Sequence, residues 1–395
     1  MKRKHIAVFT YMADGHVNSY LDVCSELVGR GNRVTFPTSA KFANRIREAG
    51  VEAVELKTKN WCFPKKLLTY ESSDDTSYWR QFGSVSCPSI VVNALSTVGE
   101  LEEFYATDPP DVILYDWFNI AGRIFAKDLG RPGILMCSHF AHPRSIVRLG
   151  GDCTFPQPVL EFSPVLDNLM SEFGIEGEGQ MWHAEPMNIF LIPGEFQYDV
   201  ESFDSRFRFV GVTFSRRSDK RSLQDVSNHG KPILLISEGS TSRDDRFLNL
   251  CIDAFAESRY HVVFLKGVYN SEVRAPVLPN NFQVMMDVSN REILPLANVA
   301  VCQAGMGTTL ECLYHGVPPV AVPLIPPNVD VAQRIDELGL GMHVPKRSMT
   351  PLVLRSAVDA ASMTESLRTR VMRMQDNLRS NRGAELAANA IEEWL

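Results

Sequence analysis

Apolar residues near the start of the chain follow two spacings in turn. Ile6–Thr10 is a short apolar run of the kind that makes a buried strand. After Ala13-Asp14-Gly15-His16, where the glycine permits a tight turn, apolar side chains recur at Val17, Tyr20, Leu21, Cys24, Leu27 and Val28, one stripe of a helix. Gly29 and Gly31 mark its end. Val34–Phe36 predicts a second strand, and Ser39 is placed to cap a helix running to Ala49-Gly50. Strand–helix units repeated at this length predict a parallel sheet with helices on both faces.

Residues 57–105 are less regular and rich in rings, including Trp61, Phe63, Tyr70 and Trp79. Asp111–Asp116 then predicts a strand ending on a carboxylate, Ile120–Leu129 a helix, and Pro132–Cys137 another strand; Ile189–Ile192 and Phe207–Val210 close the first half. Ser215–Gly230 carries many charges and no apolar period, as a linker does. A second series follows at Pro232–Ile236, His261–Leu265, Phe282–Met285, Val299–Cys302 and Pro319–Val322. The pattern divides the chain into a first domain over 1–214, a linker over 215–230 and a second domain over 231–375. A C-terminal helix over 376–395 is expected to pack back on the first domain.

A length of 395 residues suits two cores better than one. Acidic residues outnumber basic ones, 47 to 40, for a formal net charge of −7. That balance argues against nucleic acid as the main partner, yet backbone N–H groups can still hold a phosphate. The eight cysteines never form Cys-x-x-Cys, so buried thiols are expected rather than a zinc or disulfide framework. Met-Lys-Arg-Lys-His leads directly into the first strand without the apolar stretch of a signal peptide, and no run of about 18 apolar residues follows, so a cytoplasmic protein is expected.

Three places carry candidate chemistry. Val299–Cys302 gives way to Gln303-Ala304-Gly305-Met306-Gly307-Thr308-Thr309 and then to a helical stretch. Unbonded N–H groups at a helix start make an anion site there, although a tight turn with a threonine cap fits the same residues. Ser240 and Thr241, after the first strand of the second half, read either as further phosphate donors or as a polar loop. His16 and Asp116 each follow a strand's carboxyl end. As neighbours they make a general base, the carboxylate fixing the imidazole tautomer; apart, both are structural. His139 and His142 are weaker candidates, and no Gly-x-Ser-x-Gly elbow supports serine hydrolysis.

These segments together resemble the nucleotide-sugar-dependent glycosyltransferases, their bacterial macrolide and antibiotic branch in particular. The resemblance runs in order through 15–36 (GHVNSYLDVCSELVGRGNRVTF), 110–132 (PDVILYDWFNIAGRIFAKDLGRP), 234–240 (LLISEGS) and 296–323 (LANVAVCQAGMGTTLECLYHGVPPVAVP). It implies the GT-B fold, α/β with two facing Rossmann-like domains and a crevice between them. It implies that His16 deprotonates the acceptor with Asp116 behind it. Gly305, Gly307, Thr308 and Ser240 then hold the diphosphate, with Glu311 on the ribose. Family members of this type invert the anomeric centre without a metal.

Departures from the family pattern fall on the donor side. Asp287-Val288-Ser289-Asn290 stands where Trp-Val-Pro-Gln is usual, so a carboxylate replaces the ring that stacks on the base. Gln303 replaces a histidine at the pyrophosphate, Pro327-Asn328 replaces the acidic residue and glutamine that read the sugar, and Glu238 replaces an apolar residue. The expected activity is inverting, metal-independent transfer of a hexose or deoxysugar to a small natural product. No resident cofactor is expected, a UDP- or dTDP-linked sugar being the co-substrate; no membrane span is expected, and the protein is read as a monomer or homodimer. The alternative is a divergent protein of the same fold. It would be a non-transferring helper, or an enzyme of another group transfer or elimination.

Overall fold

The computed structural model describes residues 3–57, 75–141, 163–175, 184–214, 226, 230–238, 245–266, 278–286, 288–325 and 328–395, with 75–88, 163–166, 245–246 and 266 described by backbone alone. They form two compact units. One takes in the described residues up to 214 together with 381–395, and the other those from 226 to 380.

The first unit runs β1 (His5–Phe9), α1 (Asp14–Gly29), β2 (Arg33–Thr38), α2 (Ala40–Glu48), β3 (Glu52–Glu55), α3 (Asp75–Thr107), β4 (Val112–Tyr115), α4 (Ile120–Asp128), β5 (Gly133–Cys137), α5 (Ser163–Glu172), β6 (Asn188–Phe190) and β7 (Phe207–Phe209). Its seven strands are parallel in the order β3-β2-β1-β4-β5-β6-β7. Every residue of β1 and β4 is buried, as expected of central parallel strands covered on both faces.

The second unit runs β8 (Ile233–Ser237), α6 (Asp245–Phe255), β9 (His261–Lys266), β10 (Phe282–Met286), α7 (Asn290–Ile293), β11 (Val299–Cys302), α8 (Met306–His315), β12 (Pro319–Ala321), α9 (Val329–Glu337), β13 (Met342–His343), α10 (Pro351–Met363) and α11 (Glu365–Ser380). Its six parallel strands are ordered β10-β9-β8-β11-β12-β13. Alternate β8 residues feed separate cores: Leu234 and Ile236 pack with Phe247, Phe264 and Leu354, while Ile233 and Leu235 pack with Val263, Ile293 and Cys312. The last helix, α12 (Gly383–Glu393), belongs to the first unit and packs on α1.

In each sheet the chain starts at a central strand, works out to one edge, and returns to fill the other side. The loops after the first and fourth strands therefore diverge, opening a crevice at the carboxyl ends of β1 and β4, and another at those of β8 and β11.

Several expectations change. The stretch read as irregular contains the 33-residue α3, whose inner face is Ile90, Ala94, Thr97, Leu101 and Tyr105, buried at helical spacing. Pro88, which removes a ladder N–H, and the density of rings hid that period. The short strands β3 and β13 carry too few residues for a pattern to show. Ser39 stands at the start of α2 but makes no side-chain cap bond. The charged stretch after 365 is two helices, broken at 381–382, where Gly383 lies so close to the first unit that a Cβ would come 2.3 Å from the Val212 carbonyl oxygen. On α12, Glu392 accepts from Arg30 Nη1 and Asn32 Nδ2, each at 2.8 Å. Within the expected linker only Val226 and Gly230 are described, and Val226 is buried in the β8 core. The described cysteine side chains, Cys24, Cys137, Cys251, Cys302 and Cys312, are free and buried.

Candidate active site

The first crevice holds the His16–Asp116 pair. Phe9 of β1 is in register with Tyr115 of β4, and the Asp116 N–H continues the ladder by donating to the Phe9 carbonyl at 2.9 Å. Asp116 thus emerges beside the loop that turns into α1, and Asn119 Nδ2 ties the two loops by donating to the Thr10 carbonyl at 2.9 Å. His16 lies in the first turn of α1, and its Nδ1 is 2.5 Å from Asp116 Oδ2.

Asp116 is 1% exposed, yet its carboxylate is well provided with donors. Oδ1 accepts from the Phe118 N–H at 2.9 Å, and the Thr10 and Tyr20 hydroxyls lie 3.4 Å from Oδ2. Tyr20, one turn beyond His16, donates to the Met136 carbonyl on β5. A carboxylate cannot donate, so the imidazole must present Nδ1–H to it, leaving the lone pair on Nε2. Nε2 has no hydrogen-bond partner among the described residues, and the His16 side chain is 25% exposed, so the basic atom is reachable. Burial lowers the pKa of His16, but the charge and hydrogen bond of Asp116 outweigh it, and the net shift is upward.

Rings surround this base. Tyr11 and Phe118 lie edge-on to the imidazole at centroid distances of 5.5 and 6.0 Å. His139 follows β5, and burial together with the His16 charge holds its pKa at about 4, so it is neutral near pH 7. Two residues on, Ala141 is tied to Gln197, whose Oε1 accepts from the Ala141 N–H at 2.9 Å while its Nε2 donates to the Ala141 carbonyl at 3.0 Å. Tyr11, Tyr20 and Phe118 were not legible as site residues, since nothing in their spacing separates them from core rings. The other ring-rich stretch, 58–74, and His142 lie outside the described residues.

The second crevice carries the turn after β11. Its left-handed residue is Ala304, with φ of 58°, rather than a glycine; that conformation costs on the order of 1 kcal/mol for an L-residue. Gly305 is the N-cap of α8, three residues earlier than a cap at Thr308 would require, so Thr308 lies within the first turn. A Cβ on Gly305 or Gly307 would meet nothing within 4 Å, which leaves the backbone open to a ligand. Helix geometry gives the N–H groups of Met306, Gly307 and Thr308 no partner four residues back.

Gln303 is the sharpest sign of an absent partner. Its side chain is 5% exposed, and neither Oε1 nor Nε2 has a hydrogen-bond partner among the described residues. A buried amide unmet at both ends is costly unless a ligand supplies an acceptor and a donor. Glu238 does not threaten this site. It is 3% exposed and follows Leu234 and Ile236 on the α6 side of the sheet, and after burial, the larger cause, its charge adds to the raised pKa of Cys251 on α6.

The remaining donor-side candidates fare differently. Glu311 accepts from Arg291 Nε at 2.8 Å, and Thr308 Oγ1 accepts from Asn290 Nδ2 at 3.1 Å. The sequence had not marked Arg291, because its charge complement stands twenty positions away. Val288 is half-buried, its side chain packed against the β8 core. Asn328 precedes α9 and makes no side-chain cap bond. Ser240, Thr241, Asp287 and Pro327 lie outside the described residues. No group of three His, Cys, Asp or Glu among the described residues could hold a metal, and no helix among them is long and apolar enough to cross a membrane.

Residues 260–393 match the family model described as erythromycin biosynthesis protein CIII-like, C-terminal domain. NDP-glycosyltransferase YjiC of Bacillus subtilis is 33% identical over 399 residues, covering 100% of this chain and 98% of the relative. Demethyllactenocin mycarosyltransferase of Streptomyces fradiae is 28% identical, over 99% of this chain and 86% of its own length. Among solved structures, the calicheamicin glycosyltransferase CalG4 superposes with a TM-score of 0.79 at 28% identity, covering 100% of this chain and 99% of that one.

Proposed function

This chain belongs to the NDP-glycosyltransferase family, among the bacterial macrolide and antibiotic enzymes of GT-B fold, and on that premise we propose that it is an inverting, metal-independent transferase acting on a small aromatic or apolar natural product. That it is a glycosyltransferase follows from kinship along its whole length.

The observation that carries the finer reading is the contact between His16 Nδ1 and Asp116. Nε2 takes the proton of an acceptor hydroxyl as its oxygen attacks the anomeric carbon. The bond from that carbon to the β-phosphate oxygen breaks, and the nucleoside diphosphate leaves with the electron pair. Asp116 stabilises the imidazolium as it forms. A single displacement from the opposite face inverts the anomeric centre. Tyr11 and Phe118 beside the imidazole favour a flat or apolar acceptor over a charged one.

In the second unit, the start of α8, the open backbone at Gly305 and Gly307, the Thr308 hydroxyl and Gln303 Nε2 supply donors for the diphosphate charge. Glu311 is the acceptor for ribose hydroxyls. The carrier is a UDP- or dTDP-linked sugar, and the protein holds no cofactor of its own.

The test is incubation with UDP- and dTDP-sugars and a panel of hydroxylated aromatic acceptors, with and without EDTA. The product should have the anomeric configuration opposite to the donor's, at a rate EDTA leaves unchanged. Retained configuration would exclude the displacement above, and loss of activity with EDTA would exclude metal independence.

A further inference from the structure

Both side chains of α8 assigned to the donor are bonded to α7. Asn290 Nδ2 donates to Thr308 Oγ1, and Arg291 Nε donates to Glu311 Oε1 at 2.8 Å. The ion pair is sheltered, at 27% and 15% side-chain exposure. One turn beyond Glu311, burial first, then the charges of Arg379 and Arg291, hold the pKa of His315 at about 4. α7 itself is held in place, with the Ser289 N–H donating to Glu292 Oε2 at 2.7 Å and Ile293 buried in the β8 core.

We propose that Arg291 sets how this protein treats the 2′ position of the donor nucleotide, favouring 2′-deoxyribonucleoside diphosphates over their ribose counterparts. The proposal rests on the reading of Glu311 as the ribose acceptor. An ionised carboxylate only accepts hydrogen bonds. Unbonded, its two oxygens match the two adjacent hydroxyls of a ribose. Here the guanidinium already takes one lone pair of Oε1, so a hydroxyl there would share that oxygen with a cation, and only Oε2 is left unshared. The 2′-hydroxyl of a ribonucleotide would have to compete with a bonded cation or lose its water without replacement. Failing to satisfy a hydroxyl costs more than lacking one, so the deoxy sugar escapes the penalty.

A purely structural Arg291–Glu311 tie makes a different prediction. Breaking it would lower stability and weaken every nucleotide alike. UDP and 2′-deoxy-UDP differ only at the hydroxyl in question, and dTDP controls for the 5-methyl group.

The experiment is calorimetric titration of these three diphosphates into wild type, Arg291→Leu and Arg291→Lys, with melting temperatures recorded on the same samples. Wild type should bind 2′-deoxy-UDP about two- to tenfold more tightly than UDP, the worth of one net hydrogen bond. Arg291→Leu should shift the ratio towards UDP by about tenfold, as a charged acceptor is released, and Arg291→Lys should shift it less. A wild-type protein that binds UDP as tightly as its deoxy form overturns the proposal without any variant. An Arg291→Leu ratio equal to that of wild type also overturns it, while leaving the donor site standing. Failure of all three diphosphates to bind wild type overturns the donor-site reading, and the proposal with it.

Discussion

Replacing Asp116 by Asn changes one atom and should remove most of the catalysis. Oδ1 accepts the Phe118 N–H at 2.9 Å, so the new carboxamide keeps its oxygen there and turns its nitrogen towards His16 Nδ1. That nitrogen can only donate. The imidazole must then accept on Nδ1 and carry its proton on Nε2, the wrong tautomer for a base. Loss of one charge-assisted bond at 2.5 Å removes about 1.5–3 kcal/mol of support for the developing imidazolium. With the tautomer reversed as well, kcat should fall roughly 10³–10⁴-fold, the scale seen when the same exchange is made in a Ser-His-Asp triad. In wild type the raised pKa of His16 places the rising limb of kcat/KM above pH 6.5, because the base works only when neutral. In Asp116→Asn the two upward influences are gone and burial acts alone, so the limb should move below 6.5. The assay is steady-state transfer from pH 5 to 9, with nucleotide affinity as the control for folding. A loss of kcat under about tenfold, or a limb that stays in place, would refute the pairing as the source of basicity.

Gln303→Leu should separate stability from function: removing two unmet polar atoms should raise the melting temperature of the ligand-free protein, while diphosphate affinity falls by about 1–2 kcal/mol, both readable by thermal shift with and without nucleotide. Gly383→Ala should destabilise by about 1–3 kcal/mol in denaturant unfolding, because a Cβ would come 2.3 Å from the Val212 carbonyl oxygen at the seat of α12. Acid should also destabilise the fold. Burial first, then neighbouring positive charge, holds His139 and His315 at about 4, whereas the unfolded chain takes up protons near 6.5. Between those values the unfolded state binds more protons, so this stability is whole above pH 6.5 and is lost as pH falls towards 4. His16, with its raised pKa, contributes with the opposite sign: its share is present below 6.5 and is lost as pH climbs through its folded value. Melting curves from pH 7.5 to 4 test the balance, and a Tm that rises on acidification would contradict it.

The repeating strand–helix pattern exposed nearly all the central strands, because a strand buried on both faces is a nearly unbroken apolar run, as in Val299–Cys302. β3 and β13 escaped because an edge strand of four or two residues carries no such run. Family resemblance led to His16 and Asp116, which stand a hundred positions apart; the parallel pairing of β1 with β4 is what brings them together. The donor side was less legible. Arg291–Glu311 and Asn290–Thr308 depend on how a single-turn helix packs against α8, which no local spacing encodes. Which face Glu238 takes was settled by alternation along β8, once the strand's phase relative to its two cores was known.

The most direct test of the account is His16→Ala, assayed for sugar transfer and, on the same preparation, for binding of UDP and dTDP. Loss of kcat by about 10²–10⁴-fold with nucleotide affinity unchanged is the predicted result for a general base. Turnover at the wild-type rate would contradict it, and catalysis would have to be sought elsewhere in the chain.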